Sequence, residues 1–312
     1  MDIVFFGTAE FAIPAFKALI ASKHRVLALV TQPDRKRGRN LKIQPPPTKV
    51  VAEARGIPVY QPEDASGRES IEYLKKLGAG LFVVIAFGQI LKREALDIPR
   101  LSAINLHGSL LPRYRGAAPT NWAIMNGDKS SGVTIIRMNE RMDEGDIILK
   151  SEAAIDTDDT NITLSEALSA IGAQVLMDAL ELIESGKATY QKQDKTRATP
   201  APKLKKEDGV IDWNLPAAII HNRVKGLLPW PGAYTRRAGK TLKILHTELI
   251  TYPGGSEAKS GEVLDIIKNM GIVVNTGSGA IVIKHLQLEG GKILDTDSFL
   301  RGHKLGIGDR LA

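Results

Sequence analysis

Along the first hundred residues, short apolar runs alternate with amphipathic stretches. "DIVFF" is closed by Gly7 and Thr8, then Phe11, Ala15, Ala18 and Leu19 recur at helical spacing, and "RVLALVT" supplies a second apolar run. "IPVYQ" (57–61), "GLFVVIAFG" (80–88) and "LSAINLH" (101–107) continue the series, with helical stretches such as "RESIEYLKKL" between them. Unbroken Val/Ile/Leu strands separated by helices predict an α/β layer with a mostly parallel, Rossmann-like sheet covered on both faces. Further on, Leu164, Leu168, Ile171, Val175, Leu176, Ala179 and Ile183 share one helical face and predict a long helix over 163–184.

The pattern then changes twice. Over 190–208, "YQKQDKTRATPAPKLKKED" loses the apolar period and gains Lys, Arg and Pro, which predicts a basic linker. Beyond it, "GAYTRRAGKTLKILHTELI", "SGEVLDII" and "MGIVVNTGSGAIVIKHLQLEG" are short strand-like runs punctuated by glycine, the pattern of a smaller β-barrel of the OB type. The expected organisation is a first domain over 1–189, the linker, and a second domain over 209–312. A chain of 312 residues exceeds the usual size of one hydrophobic core, which agrees with two domains.

Composition narrows the class. Hydrophobic content of 43% and charged content of 25% are ordinary for a soluble globular protein. No apolar run approaches the roughly 20 residues of a membrane span, and "MDIVFFGTAEF" has the features of neither a signal nor a transit peptide. The expectation is a cytoplasmic protein with no membrane partner. With no cysteine, disulfides, zinc–thiolate sites and thiol nucleophiles are excluded.

Charge changes the picture further. Forty-two Lys+Arg against 35 Asp+Glu give a net charge of +7, suited either to a polyanionic partner or to a solubilising surface. Its distribution favours the partner. "PDRKRGRNLKIQPPPTK" gathers Arg35, Lys36, Arg37, Arg39, Lys42 and Lys49 directly after the second strand, and Pro45, Pro46 and Pro47 are expected to forbid helix and keep the segment extended. Long loops at the binding edge of such a sheet are usually functional. A second basic stretch runs through Lys203, Lys205 and Lys206 toward Arg223, Lys225, Arg236, Arg237, Lys240 and Lys243, in a fold that can bind a nucleic-acid backbone. Trp213 and Trp230 are expected in core or hinge positions.

Candidate chemistry sits at the strand ends, where ligands of parallel sheets bind. "FFGTAEF" has one glycine where the dinucleotide fingerprint needs three, which argues against NAD or FAD. Asn105 and His107, two apart on a strand, share a face. They precede the rigid loop "GSLLPRYRG", Gly88 ends another strand, and "RMDEGDIIL" brings Asp143 and Asp146. The plain reading of the pair is two satisfied polar groups at a strand end. The chemical reading is acyl transfer to an amine, with amide and imidazolium donating to an oxyanion and a carboxylate holding the imidazole. Without a G-x-S-x-G elbow, direct transfer with no acyl-enzyme fits better. No H-E-x-x-H or comparable spacing offers a metal site, and none is expected.

Taken together, "FFGTAEFA", "TQPDRKRGR", "IAFGQIL", "INLHGSLLPRYRGAAP", "MDEGDI" and "RVKGLLPWPGAYT" resemble the 10-formyltetrahydrofolate-dependent formyltransferases over nearly the whole chain. That resemblance implies that Asn105, His107 and Asp143 are catalytic. It also implies that Ser109, Leu110, Leu111 and Pro112 contact the folate, and that the backbone around Phe87, Gly88, Gln89 and Ile90 forms the pterin pocket. The donor would be 10-formyltetrahydrofolate as co-substrate. The arginine-rich loop points to the branch that formylates methionyl initiator tRNA, with Arg39 in the place of that branch's important arginine. Arg35, Lys36, Arg37, Lys42, Lys203, Lys205 and Lys206 would be further tRNA contacts, and a monomer is expected. The alternatives are transfer to a nucleotide-sugar amine, hydrolysis of formyltetrahydrofolate, or a tRNA-binding module without chemistry.

Overall fold

In the computed structural model, which describes residues 1–37, 42–253 and 258–311, the N-terminal apolar runs become strands of one sheet. The chain begins with β1 (Asp2–Gly7), α1 (Ile13–Ile20) and β2 (Arg25–Val30), then a small pair, β3 (Arg35–Arg37) and β4 (Lys42–Gln44). Next come α2 (Pro47–Glu53), β5 (Val59–Tyr60), α3 (Arg68–Leu77), β6 (Leu81–Ile85), α4 (Arg93–Leu96) and β7 (Ser102–His107). α5 (Pro119–Met125), β8 (Ser130–Arg137), β9 (Asp146–Ala154) and the long α6 (Asn161–Glu184) follow.

Seven strands form the sheet in the order β5-β2-β1-β6-β7-β8-β9. The pairs through β7 are parallel, whereas β7–β8 and β8–β9 are antiparallel. The fold is therefore the expected mostly parallel α/β sheet. β1 and β6 are apolar on both faces because both are covered. Phe5 stacks on Phe16 of α1 at 4.5 Å between ring centres, while Phe6 meets Phe82 at 5.0 Å and Phe87 edge-on at 5.4 Å, within a buried cluster that includes Leu74 of α3. Such aromatic pairs add about 0.5–1.5 kcal/mol each beyond area burial. The predicted helical face of α6 is buried at Leu168, Val175, Leu176, Ala179 and Ile183. A Cβ at Gly172 would lie 2.7 Å from Leu106, so α6 packs against the face of β7 opposite to Asn105 and His107.

The basic segment over 31–49 departs from expectation. It is not extended throughout: β3 and β4 pair as an antiparallel hairpin with Arg35 opposite Gln44 and Arg37 opposite Lys42. Nor do the prolines forbid helix, since Pro47 begins α2 with Pro46 as its N-cap. The first helical turn has no use for the N–H that proline lacks, and proline's fixed φ suits that position.

After α6 the chain reaches α7 (Ala217–Gly226), β10 (Ala233–Arg237), β11 (Lys240–Ile250), β12 (Val263–Ile267), β13 (Gly271–Asn275), β14 (Ala280–Leu288), β15 (Leu294–Asp295) and α8 (Thr296–Gly302). The strands form an antiparallel sheet in the order β10-β11-β14-β13-β12, with β15 added to β14. Leu242, Ile244, Ile272, Ile281 and Ile283 are fully buried within it, as is Val224 of α7. Trp213 is buried and donates its indole N–H to the Thr235 hydroxyl at 3.1 Å, whereas Trp230 is 54% exposed and belongs to no core. Two units result: Met1–Pro119 with Ser130–Ala154 and Ser165–Pro202, and Thr120–Lys129 with Ile155–Leu164 and Lys203 onward. No helix among the described residues is long and apolar enough to cross a membrane.

Candidate active site

β7 lies between β6 and β8, where the sheet changes from parallel to antiparallel. Asn105 and His107 occupy alternate positions at its carboxyl end and project from one face. His107 is buried, with Nε2 2.8 Å from the carbonyl oxygen of Tyr114. A carbonyl only accepts, so Nε2 carries a hydrogen. On the other side of the ring, Nδ1 faces Oδ1 of Asp143 at 3.6 Å. Asn105 is half-buried, and no described residue bonds its side-chain amide.

Asp143 does not come from a neighbouring strand end, as the sequence suggests. β8 runs antiparallel to β7, so its last residue, Arg137, sits opposite Ile104, three residues before His107. Met138 is bonded to the Ala103 carbonyl at 2.8 Å, and the loop must return along the sheet to bring its carboxylate to the imidazole. Two features of D-E-G-D allow this. Asp143 adopts a left-handed backbone conformation (φ 55°), which a short polar residue tolerates better than most. A Cβ on Gly145 would lie 1.8 Å from the Arg137 carbonyl, so only glycine lets the loop rejoin β9 so close to β8. Asp146 begins β9 opposite Arg137.

The loop after β7 is fixed from beneath. Thr134 of β8 donates to the Ser109 carbonyl at 2.6 Å and accepts from Leu111 N–H at 3.1 Å, and Lys150 of β9 donates to the Leu111 carbonyl. Ser109 gives its hydroxyl to the Arg113 carbonyl at 2.6 Å, and Leu111 is buried with Ile136 and Ile147. The side chains of Ser109 and Leu111 and all four carbonyls of 109–112 are thus used internally, so that stretch presents to a ligand chiefly the partly exposed side chains of Leu110 and Pro112.

The end of β6 does the same more openly. Phe87 is core, its carbonyl accepting from Thr8 at 2.8 Å, and Gln89 ties its amide to Ala65 N–H at 2.8 Å and the Pro62 carbonyl at 3.0 Å. Among the described residues, no hydrogen bond uses the main-chain N–H or C=O of Gly88, Gln89 or Ile90. This is a row of free donors and acceptors beside the strand that carries Asn105.

Several supporting groups have no signal in the sequence. Tyr114, which holds His107, lies in the left-handed region (φ 61°) within a stretch that reads only as loop. Gln193 bonds the carbonyls of Asp143 (2.7 Å) and Gly145 (2.8 Å), although its segment reads as linker. Residues 190–202 are in fact bound to the first unit. Gln191 pairs with Ile147, and Thr199 and Ala201 bond the main chain of Arg115.

Residues 1–180 match the formyl transferase family, and residues 203–304 match the formyl transferase C-terminal domain. The methionyl-tRNA formyltransferase of Geobacter sulfurreducens is 45% identical over 311 residues, covering 100% of this chain and 96% of that protein. That of Moorella thermoacetica is 45% identical over 311 residues, covering 100% and 99%. The chain belongs to the methionyl-tRNA formyltransferase family. Solved structures share the fold. The N-formyltransferase from Helicobacter canadensis, in complex with folinic acid and dTDP-3-aminofucose, aligns with a TM-score of 0.66 over 90% of this chain and 98% of that one at 17% identity. HypX from Aquifex aeolicus, in complex with tetrahydrofolic acid, aligns with a TM-score of 0.63 over 98% of this chain and 50% of that one at 18% identity.

Within this methionyl-tRNA formyltransferase relative, the cationic residues fall in two places. Arg35 and Lys36 are exposed on β3, Arg35 at the 4.0 Å limit of an ion pair with Glu63. Arg37 ends β3 and Lys42 begins β4. Arg39 lies outside the described residues. Lys203, Lys205 and Lys206 are exposed at the start of the second unit, where Lys205 N–H is capped by Asp208 at 2.6 Å. Among the described residues no cluster of His, Asp or Glu is placed to hold a metal ion.

Proposed function

We propose that this chain transfers the formyl group of 10-formyltetrahydrofolate to the free α-amino group of methionyl initiator tRNA, with Asn105, His107 and Asp143 as catalytic residues. The observation that carries the reading is His107 held between the Asp143 carboxylate and the Tyr114 carbonyl, beside an Asn105 amide that no described residue uses. Acceptors on both sides of the ring fix its orientation, with the Nε2–H on the Tyr114 carbonyl and Nδ1 turned to the Asp143 carboxylate.

The amine lone pair forms the new N–C bond to the formyl carbon. Negative charge then develops on the formyl oxygen. The Asn105 amide is the donor free to meet it, and the His107 Nε2–H joins by turning from the Tyr114 carbonyl to the oxyanion, with Asp143 behind Nδ1. Collapse breaks the bond to N10 of tetrahydrofolate, which takes up a proton as the new amide nitrogen gives one up. Fixed donors aimed at developing charge are the main source of rate in such a step.

The residues at the end of β6 suit the donor. A pterin edge alternates hydrogen-bond donors and acceptors, and the main chain of Gly88, Gln89 and Ile90 offers both kinds unused. Ser109 to Pro112 would line the approach from the other side. For the tRNA, the β3–β4 pair carries Arg35, Lys36, Arg37 and Lys42, and with Arg39 of the same segment these cations suit phosphates. Lys203, Lys205 and Lys206 would supply a second contact. In this reading 1–189 is catalytic together with the stretch to Pro202 that is bound to it, and 209–312 is the tRNA-binding domain, in a cytoplasmic monomer. Supplying labelled 10-formyltetrahydrofolate with methionyl initiator tRNA, a nucleotide-sugar amine or water alone tests it. Label on the tRNA is expected, and label passing only to the sugar or to formate would overturn the reading.

A further inference from the structure

We propose that Gln193, keyed by Arg115, is the positioning residue that sets the Asp143 loop, so that part of the supposed linker belongs to the catalytic machinery. The proposal rests on the reading of Asp143 as the carboxylate that orients His107.

The Gln193 side chain is saturated. Its Nε2 donates to the carbonyls of Asp143 at 2.7 Å and Gly145 at 2.8 Å. Its Oε1 accepts from Arg115 Nε at 3.1 Å and Nη2 at 2.7 Å. That uses both donors and both lone pairs of the amide, and only one orientation satisfies all four. Arg115 reaches further, placing Nη1 3.2 Å from Glu144. Residues 143, 144 and 145 are therefore each gripped by the Gln193–Arg115 pair. Asp143 needs such a grip, because a left-handed conformation at a residue with a side chain persists only where its surroundings hold it.

The grip is separable from the docking of its own segment. Tyr114 N–H bonds the Thr199 hydroxyl at 2.9 Å, Arg115 N–H the Thr199 carbonyl at 2.8 Å, and Ala201 N–H the Arg115 carbonyl at 2.6 Å. These bonds involve no side-chain atom of Gln193, so the segment stays in place when that side chain is altered. Gln193→Glu is the sharpest change. It keeps the shape and the bond to Arg115, but sets oxygen against two carbonyls that only accept.

The test is steady-state formyl transfer by the full chain, with thermal melting of each variant. Gln193→Glu and Gln193→Leu should lower kcat by roughly tenfold or more while both KM values stay within about twofold, as for a group whose effect is felt in the transition state. Asp194→Ala, which loosens only the turn at 195–197 through Thr196, should leave the rate near the parent's. In an Asp143→Asn background, Gln193→Glu should add less than about twofold, because residues acting as one unit are not additive. Fully additive losses, or Gln193→Glu alone at the parental kcat, would overturn the positioning role while leaving Asp143 catalytic. An Asp143→Asn enzyme at the parental rate would sink the catalytic reading and this proposal together. Should the Gln193 variants fail to fold, Arg115→Lys removes the paired N–H groups from Oε1 while keeping a charge for Glu144, and the same fall in kcat at constant KM is required of it.

Discussion

Gly116 donates its main-chain N–H to Oδ2 of Asp143 at 2.8 Å, while Oδ1 of the same carboxylate faces His107. The loop that follows the histidine's own strand therefore returns to hold the acid opposite the histidine. Glycine is required there twice over. Its φ is +126°, and a Cβ would lie 2.5 Å from the Ala201 carbonyl. One backbone contact thus ties together the strand end, the acid loop and the segment after α6.

Removing either donor of the pair tests the chemistry directly. Asn105→Ala or His107→Ala should lower kcat by roughly a hundredfold or more, the usual cost of one lost oxyanion donor. Asn105 is the cleaner probe, since no described residue relies on its amide and the fold should not register the change. Rapid-quench formyl transfer alongside binding of a folate analogue decides it. Activity within a few-fold of the parent, with normal binding, would make the pair structural.

Asp143 and Gly116 should fail in different ways. Asp143→Asn is expected to reduce kcat far more than it raises either KM, because the interaction with His107 matters most when charge develops. Asp146→Asn, altering the first residue of β9, should do much less. Gly116→Ala should lower stability as well as rate, by about 1 kcal/mol or more, since it meets both a left-handed backbone and a close carbonyl. Urea midpoints beside the kinetics separate the two, and a Gly116→Ala protein as stable as the parent would contradict the close approach.

How much of this was legible follows from what each feature depends on. The parallel strands, α6 and the pairing of Asn105 with His107 on one face are set by periodicity, which sequence displays. The antiparallel turn at β8 was not, because an apolar run reads alike in either direction. So the return of the Asp143 loop toward His107 could be named as a partnership but not traced. The hairpin at Arg35–Gln44 was hidden by its charges, and the helix after it by three prolines that are compatible with a helix only at its first turn. Gln193 was invisible for a different reason: a polar side chain that bonds backbone carbonyls leaves no pattern.

The second unit should carry its own acid sensitivity. Burial first, then the charges of Lys225 and His246, push His221 down to about 4, against the weaker upward pull of Asp158 and Glu248. Burial, then His285, lowers His246 as well. A free imidazole titrates near ~6.5, so below that pH the unfolded chain binds the extra proton. Stability is intact above ~6.5 and falls as pH drops toward 4, with a slope approaching about 1.4 kcal/mol per pH unit for each such proton. Urea unfolding of the parent and His221→Gln across this range checks it. The variant should lose stability less steeply, and parallel curves would mean that His221 titrates normally in the folded protein.

The hairpin decides whether the cations recognise tRNA or merely face water. Arg35 and Lys36 are exposed on β3, and the pairing of β3 with β4 fixes the backbone that presents them. A charge on a preordered strand loses less freedom on binding a phosphate than one on a floppy loop, and arginine can bond a phosphate through two N–H groups at once. Changing Arg35, Lys36 and Arg37 together to Ala should flatten the salt dependence of tRNA binding by up to about 0.9 in log–log slope for each lost duplex phosphate contact. Arg39→Ala should weaken use of methionyl-tRNA through KM, kcat or both. Neither change touches Asn105, His107, Asp143 or the backbone of 88–90, so folate-analogue binding should stay at the parental value. The decisive measurement is tRNA affinity from low to moderate salt for the parent, the triple variant and a matched triple variant at Lys203, Lys205 and Lys206. A reduced slope in both would give the tRNA two separate cationic contacts, one on each unit. A parental slope in the hairpin variant, with unaltered tRNA kinetics, would leave the hairpin as a solvated surface and remove it from substrate recognition.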